Sequence, residues 1–310
     1  MRLLFHKADF DLLAECWRNT FPEKYWVDAE VIRKNTVECP VFDWGASAIE
    51  SSPLGVEGFV IVKRSAEKLY PGPQRDQAHL SAIVSQESTI MADLVTEAKS
   101  ILRSRGTSVL IFGQDLNHFF SGAPSECRAL NDFLVVEGFR PLGETHDLEH
   151  DLREYQYERP IPDGFAFRPL EMSDKPALDA FMSANFARRW YYDVRRKIEV
   201  EGPECIFVAE RDGAVEGFAL LHDWTAKLPI GGAVWRHSLG PNWGSLGPIG
   251  VSEDIRGKGV GGALLGLALQ HLKERGVHRC IIDWTSLVDF YGKFGFTPTR
   301  EYHQYSMVLE

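Results

Sequence analysis

The stretch Ile249 to Gly262, IGVSEDIRGKGVGG, runs straight into ALLGLALQHL, and its reading decides the fold. A β-type run, Leu246 to Val251, leads into a turn with four glycines and two cations. The turn opens a helix whose apolar residues Leu264, Leu265, Ala268 and Leu272 fall at helical spacing. Glycines let a backbone approach a ligand closely, and the first N–H groups of a helix have no internal partner. Arg256 and Lys258 add cationic charge to the positive end of the helix dipole. Arg256, Gly257, Lys258, Gly259, Val260, Gly261 and Gly262 therefore form a candidate anion cradle, suited to a pyrophosphate.

Three patterns compete for this turn. A Walker A loop is excluded, because no Gly-Lys-[Ser/Thr] closes it. Gly257, Gly259 and Gly262 match G-x-G-x-x-G, and Asp283 follows 21 residues later (283 − 262), which imitates a dinucleotide fingerprint. That fingerprint places its glycines directly after a strand, whereas here Ser252 to Arg256 intervene. Only 27 residues (310 − 283) follow Asp283, too few for the rest of a doubly wound sheet. The third pattern is R-x-x-G-x-G at Arg256, Gly259 and Gly261. A second stretch accompanies it: Cys280 to Asp283 reads as a buried strand, and Phe290-Tyr291-Gly292-Lys293-Phe294-Gly295-Phe296 follows on a short helix and turn.

Together these stretches resemble motifs A and B of the GNAT superfamily of acyl-CoA N-acyltransferases. The resemblance implies that the loop clamps the pyrophosphate of acetyl-CoA. It implies that Ile249, Gly250 and Val251 lie on a splayed strand whose free backbone groups bind the pantetheine arm, and that Tyr291 protonates the leaving thiolate. Where the family often has Asn at the strand end, seven residues before the Tyr, this chain has Trp284.

Composition narrows the class. A 310-residue chain suggests about two domains. Hydrophobic content of 44% with 25% charge is that of a soluble globular protein, and no apolar run approaches the ~18–20 residues of a membrane span. The start, MRLLFHKADFDLL, lacks a continuous apolar h-region, which argues against a signal peptide. Five cysteines without paired spacing argue for reduced thiols in the cytoplasm, and for no metal site. A net charge of −10 argues against nucleic acid and suits a cationic amine.

The chain also repeats itself. VEGF at 56–59 matches VEGF at 215–218, VSQE at 84–87 matches VSED at 251–254, and GFRP at 138–141 matches GFTP at 295–298. The offsets are 159 (217 − 58), 167 (251 − 84) and 157 (295 − 138), near-constant as a duplication requires. The expected architecture is α/β (α+β), two GNAT-like repeats, each a mixed, mostly antiparallel sheet flanked by helices. Residues 1–154 form a degenerate repeat, 155–163 a linker with Pro160 and Pro162, and 164–310 the acyl-CoA-binding repeat. Where the second repeat has Arg256 to Gly261, the first has Thr89, Ile90, Met91, Ala92, Asp93 and Leu94, without cations or glycines. The first repeat is thus expected to be a structural partner, as in tandem members of the family.

Acyl transfer to an amine also needs a base. Asp283 and His222 are the catalytic candidates beside Tyr291. Trp224, Trp284, Asp223 and His303 are the acceptor-binding candidates, because aromatic faces with polar groups suit a sugar ring. The expected function is acetyl-CoA-dependent N-acetylation of a small amine, with an aminosugar as the acceptor these residues suit. The alternatives are a non-catalytic acyl-CoA-binding or regulatory protein, and a transferase of another acyl or aminoacyl group.

Overall fold

In the computed structural model, residues 1–65, 69, 77–228 and 234–309 are described. Pro71-Gly72-Pro73, a sequence that marks a loop, lies outside them. The first half runs β1 (Arg2–Leu3), α1 (Phe10–Thr20), α2 (Ala29–Asn35), β2 (Ala48–Ser52), β3 (Gly55–Lys63), β4 (Gln77–Val84), α3 (Ser88–Ser104), β5 (Val109–Phe112), β6 (Ala123–Pro124), α4 (Arg128–Val136) and β7 (Arg140–Asp151). The second runs β8 (Ala166–Pro169), α5 (Lys175–Asn185), α6 (Arg189–Glu201), β9 (Ile206–Arg211), β10 (Ala214–Asp223), α7 (Arg236–Leu239), β11 (Trp243–Val251), α8 (Val260–Glu274), β12 (Arg279–Thr285), α9 (Val288–Gly292) and β13 (Thr297–Val308).

Local chemistry accounts for several boundaries. Asp28 caps α2, its carboxylate accepting from the Val31 N–H at 2.8 Å. Ser173 does not cap the helix carrying Leu178 and Phe181. Glu171 and Asp174 form a reciprocal capping box around a short 3-10 turn there instead, and α5 follows it.

All the strands join one mixed sheet, ordered β1-β2-β3-β4-β5-β13-β7-β12-β11-β10-β9-β8, with β6 pairing β13. The halves match in order: β4 is parallel to β5, β11 is parallel to β12, and the other neighbours are antiparallel. Their last strands are exchanged. β13 closes the second half in sequence but lies between β5 and β7, and β7 from the first half pairs with β12 of the second. The resulting seam is buried. Asp147 on β7 accepts from the Tyr302 hydroxyl (2.6 Å), the Trp235 indole (3.0 Å) and the Trp284 backbone N–H (3.1 Å). Arg300 on β13, 2% exposed, donates to Glu149 on β7 and to the Lys24 carbonyl.

This exchange predicts the behaviour of the halves apart. A fragment of residues 162–310 leaves β13 without β5 and β7, and β12 without one of its neighbours, exposing unpaired edges and a buried arginine. It is expected to be insoluble or inactive when expressed alone, measured by sedimentation and circular dichroism. A soluble, fully active fragment would contradict the shared seam.

Candidate active site

The site begins where two parallel strands part. β11 and β12 pair only from Trp243↔Arg279 to Ser245↔Ile281. Beyond Ser245, β11 carries a register shift against β10 between Leu246 and Ile249, at Gly247-Pro248. On the other side, β12 shifts register against β7 between Ile282 and Thr285. Bulges bend a strand and re-aim its side chains. The gap becomes a cavity of about 420 Å³, lined by Leu246 to Ile249 from β11, Ile282 to Thr285 from β12, and Ser286, Leu287 and Tyr291. His118 from the first half and Arg189, Trp190 and Asp193 from α6 complete the wall.

Simple alternation leaves the direction of the Asp283 side chain open; the bulge decides it. Trp284 has φ +48°, an unusual conformation for a bulky residue, and the bond from its N–H to buried Asp147 holds it there. Asp283 and Trp284 then both face the cavity. Burial, and next the charge of Asp283, push the Asp147 carboxyl up to about 6, so Asp147 is itself sensitive to the charge on Asp283. Tyr291 is buried at 6% exposure and lines the cavity beside them. Burial, and then Asp283, push its hydroxyl up to about 12, which keeps it protonated at neutral pH.

The glycine loop follows the splayed strand. Gly257 and Gly259 have φ +77° and +82°, a conformation open mainly to glycine, and Gly259 is the N-cap of α8. Arg256 and Lys258 are exposed, and neither pairs with a carboxylate among the described residues. The 15-residue α8 thus presents its first amides, from Val260 to Gly262, beside two uncommitted cations. These residues fit the diphosphate end of acetyl-CoA. The half-buried stretch Ile249–Val251, unpaired on its β12 side, fits an extended amide-bearing arm.

Among its described residues the first half has no such opening. Its β4 and β5 also part, after Leu80↔Phe112, but the loop following β5 fills the space. Asp115 accepts from Ser81 (2.8 Å) and pairs with Lys63 (2.6 Å), and Phe119 and Phe120 pack on Trp17 with ring centroids 4.9 and 5.5 Å away. The helix equivalent to α8 starts after Glu87, with no glycine in its first turn.

Four expected residues stand elsewhere. His222 lies behind β11 at 2% exposure and does not line the cavity. Lys197 approaches its Nδ1 at 2.8 Å, and burial and that cation push its pKa well down. It braces the strand and is poorly placed as a base. Asp223 is buried, accepting from Thr225 and pairing with Arg275. Trp224 is partly exposed and lies against Gly276. His303 lies on β13, 3.2 Å from the Asn131 amide oxygen. Of the acceptor candidates, only Trp284 reaches the cavity. The reason is the strand exchange, which carries β13 away from the β11–β12 gap, and the end of β10, which is tied to α6 and α8.

The residues missed by sequence are His118, Arg189, Trp190 and Asp193. The polar run Asn117-His118 inside a long loop was the visible signal, but its destination is in the other half. His118 Nε2 is 2.8 Å from Asp283 Oδ2, and the Arg189 guanidinium lies over the Trp284 ring at 4.9 Å.

Residues 167–296 match the family model described as Acetyltransferase (GNAT) family. The mycothiol acetyltransferase of Pseudarthrobacter chlorophenolicus is 27% identical over 184 residues, covering 54% of this chain and 54% of that protein, so the similarity spans about half of the relative's length. Among solved structures, the glucosamine N-acetyltransferase region of a fungal multi-domain β-N-acetylglucosaminidase superposes with a TM-score of 0.85 at 21% identity, covering 99% of this chain and 38% of that one. A tandem GNAT protein from the clavulanic acid biosynthesis pathway gives 0.69 at 14% identity, covering 97% and 94%. At these identities the structures speak for the fold. Among the described residues no helix is long and apolar enough to cross a membrane.

One open cleft and one filled cleft predict a single cofactor site per chain. Titration calorimetry with coenzyme A should give one site, lost in the Arg256→Glu, Gly259→Val double variant. Two equivalent sites, or binding indifferent to that variant, would contradict the assignment.

Proposed function

We propose acetyl-CoA-dependent N-acetylation of a small amine, for a chain whose residues 167–296 match the GNAT acetyltransferase family model and whose fold superposes on a tandem GNAT protein. The observation that carries this is the opening between β11 and β12. Tyr291 and the Asp283 carboxylate line one cavity beside β11, the strand that leads to the glycine loop, and this supports the reading.

Bound acetyl-CoA supplies an activated thioester. The chain supplies the rest. Arg256, Lys258 and the amides of Gly257 and of Gly259 to Gly262 would hold the diphosphate, and the edge of Ile249 to Val251 left unpaired by β12 would align the arm. A backbone N–H on that edge would polarise the thioester carbonyl, an interaction worth about 3 kcal/mol in transition-state stabilisation. Asp283 receives the proton that the acceptor ammonium must lose before its nitrogen attacks. Tyr291, kept protonated by its surroundings, donates to the departing sulfur. The first domain, residues 1–154, acts as scaffold and wall, and 164–310 carries the cofactor.

The acceptor is of the aminosugar class. Trp190 and Trp284 offer ring faces, Asp193 and Asp283 offer carboxylates, and about 420 Å³ suits one sugar-sized ring. The name of the fungal relative, a glucosamine N-acetyltransferase region, points the same way. A screen of amines and aminosugars with acetyl-CoA, reading released thiol, tests the reading. Turnover of no amine despite cofactor binding would favour a binding protein.

Tyr291→Phe is expected to lower kcat by about 10²–10⁴, the range for general acid–base catalysis, with acetyl-CoA binding unchanged. The phenyl ring still packs 5.1 Å from Phe290, so the melting temperature should change little. Because the hydroxyl sits at about 12, the wild-type rate should show no descending limb from Tyr291 below about pH 10. An unchanged kcat in the Phe variant would remove Tyr291 from the mechanism.

A further inference from the structure

We propose that His118, carried by the half without a cofactor loop, is the positioning residue for Asp283, so that the base is assembled from both repeats. The inference rests on Asp283 being the base of the proposed reaction.

The contact is well defined. His118 is 5% exposed and its Nε2 lies 2.8 Å from Asp283 Oδ2. Arg189 Nη2 lies 3.3 Å from the other ring nitrogen, Nδ1. A guanidinium has only donors, so Nδ1 accepts and carries no proton. The ring proton therefore sits on Nε2 and is donated to Asp283. His118 is held in one orientation, and one face of the Asp283 carboxylate is fixed while its side chain still lines the cavity.

The loop that delivers His118 is clamped from the first half's core. Lys63 is fully buried, and its ammonium donates to the carbonyls of Leu116 (3.1 Å) and Asn117 (2.6 Å) and pairs with Asp115 (2.6 Å). All three of its donors serve the residues just before His118. Asn117 has φ +51°, a conformation Asn tolerates better than most residues. A buried ion pair is weak evidence of stabilisation in itself, and apolar residues could fill the same volume. Here the pair acts on the position of a loop, and the loop's polar tip crosses into the other repeat. The filled cleft of the first half is thus the mount for a group used in the second.

The sign of the pH effect follows. A hydrogen bond to an ionised carboxylate favours that form, so removing the donor makes the charged carboxylate harder to maintain as the pH falls. The groups facing His118 are Asp283 on β12, Arg189 and Asp193 on α6, and Asp115 on its own loop. Asp147 and Tyr291 act on Asp283 from behind and beside.

The test uses the full chain and the best amine from the screen. His118→Ala is expected to lower kcat by about 10–100-fold, the loss of one charge-assisted hydrogen bond, with the KM for acetyl-CoA unchanged. The acidic limb of kcat/KM should move up by about one pH unit, and His118→Gln, whose amide N–H can donate to the same oxygen, should bring it back. A limb that stays in place in the Ala variant overturns the inference, since packing damage alone lowers the rate without moving it. The ¹⁵N spectrum of the wild-type histidine needs neither a variant nor turnover. Protonation on Nε2 supports the inference, and protonation on Nδ1 or on both nitrogens overturns it. Asp283→Asn separates the two levels: full activity there removes the base assignment and His118's role with it, whereas an inactive Asn variant beside an unmoved limb in His118→Ala removes only His118.

Discussion

The hydrogen-bond ladder of β7 is the constraint on which the molecule depends. β7 ends the first repeat in sequence, yet its two neighbours, β12 and β13, both belong to the second. Each repeat alone would leave a long strand edge unpaired, and exposed edges of this length recruit other chains. Exchange within one chain closes both edges. It also fixes how the repeats face each other, because a register of paired residues leaves no rotational freedom between them. Asp147 and Arg300 sit at that seam, satisfied by partners from both halves.

The site follows from this constraint. β7 supplies Asp147, Asp147 holds the backbone of Trp284, and the Trp284 bulge directs Asp283 into the cavity. The cavity exists because β11 stops pairing with β12 after Ser245. The same parting of strands occurs in the first repeat, where the Lys63–Asp115 pair and two phenylalanines occupy it. Duplication thus provided two clefts. One is open beside a glycine loop, and the other is filled by a loop that reaches the open one.

His222 and Asp223 show how the same strand end can serve structure instead. They lie in a buried polar network with Lys197, Glu201 and Arg275 behind the β11 bulge. Lys197 donates to His222, to the Leu228 carbonyl and to Glu201, and burial lowers its pKa. Lys197 uses all three of its donors within this buried network. A polar pair in the sequence carries no mark that says whether it faces a cavity or a core.

What the sequence determined by itself was local. The R-x-x-G-x-G turn, the strand before it, the helix after it and the Tyr291 to Phe296 segment were readable, because glycine conformations, helix periodicity and a short motif act over a few neighbouring residues. The duplication was readable for the same reason, since three short matches at near-constant offsets survive without any knowledge of contacts. Three features depend on pairing between residues more than 100 positions apart: the exchange of β7 and β13, the bulge that turns Asp283 inward, and the crossing of His118 into the second repeat. His118 and Asp283 are 165 residues apart, and no local rule couples them. Trp224, Asp223 and His303 were placed by their nearness in sequence to the motifs, whereas the fold sorts residues by which edge of which strand they occupy. That sorting follows from the sheet order, which long-range strand pairing decides.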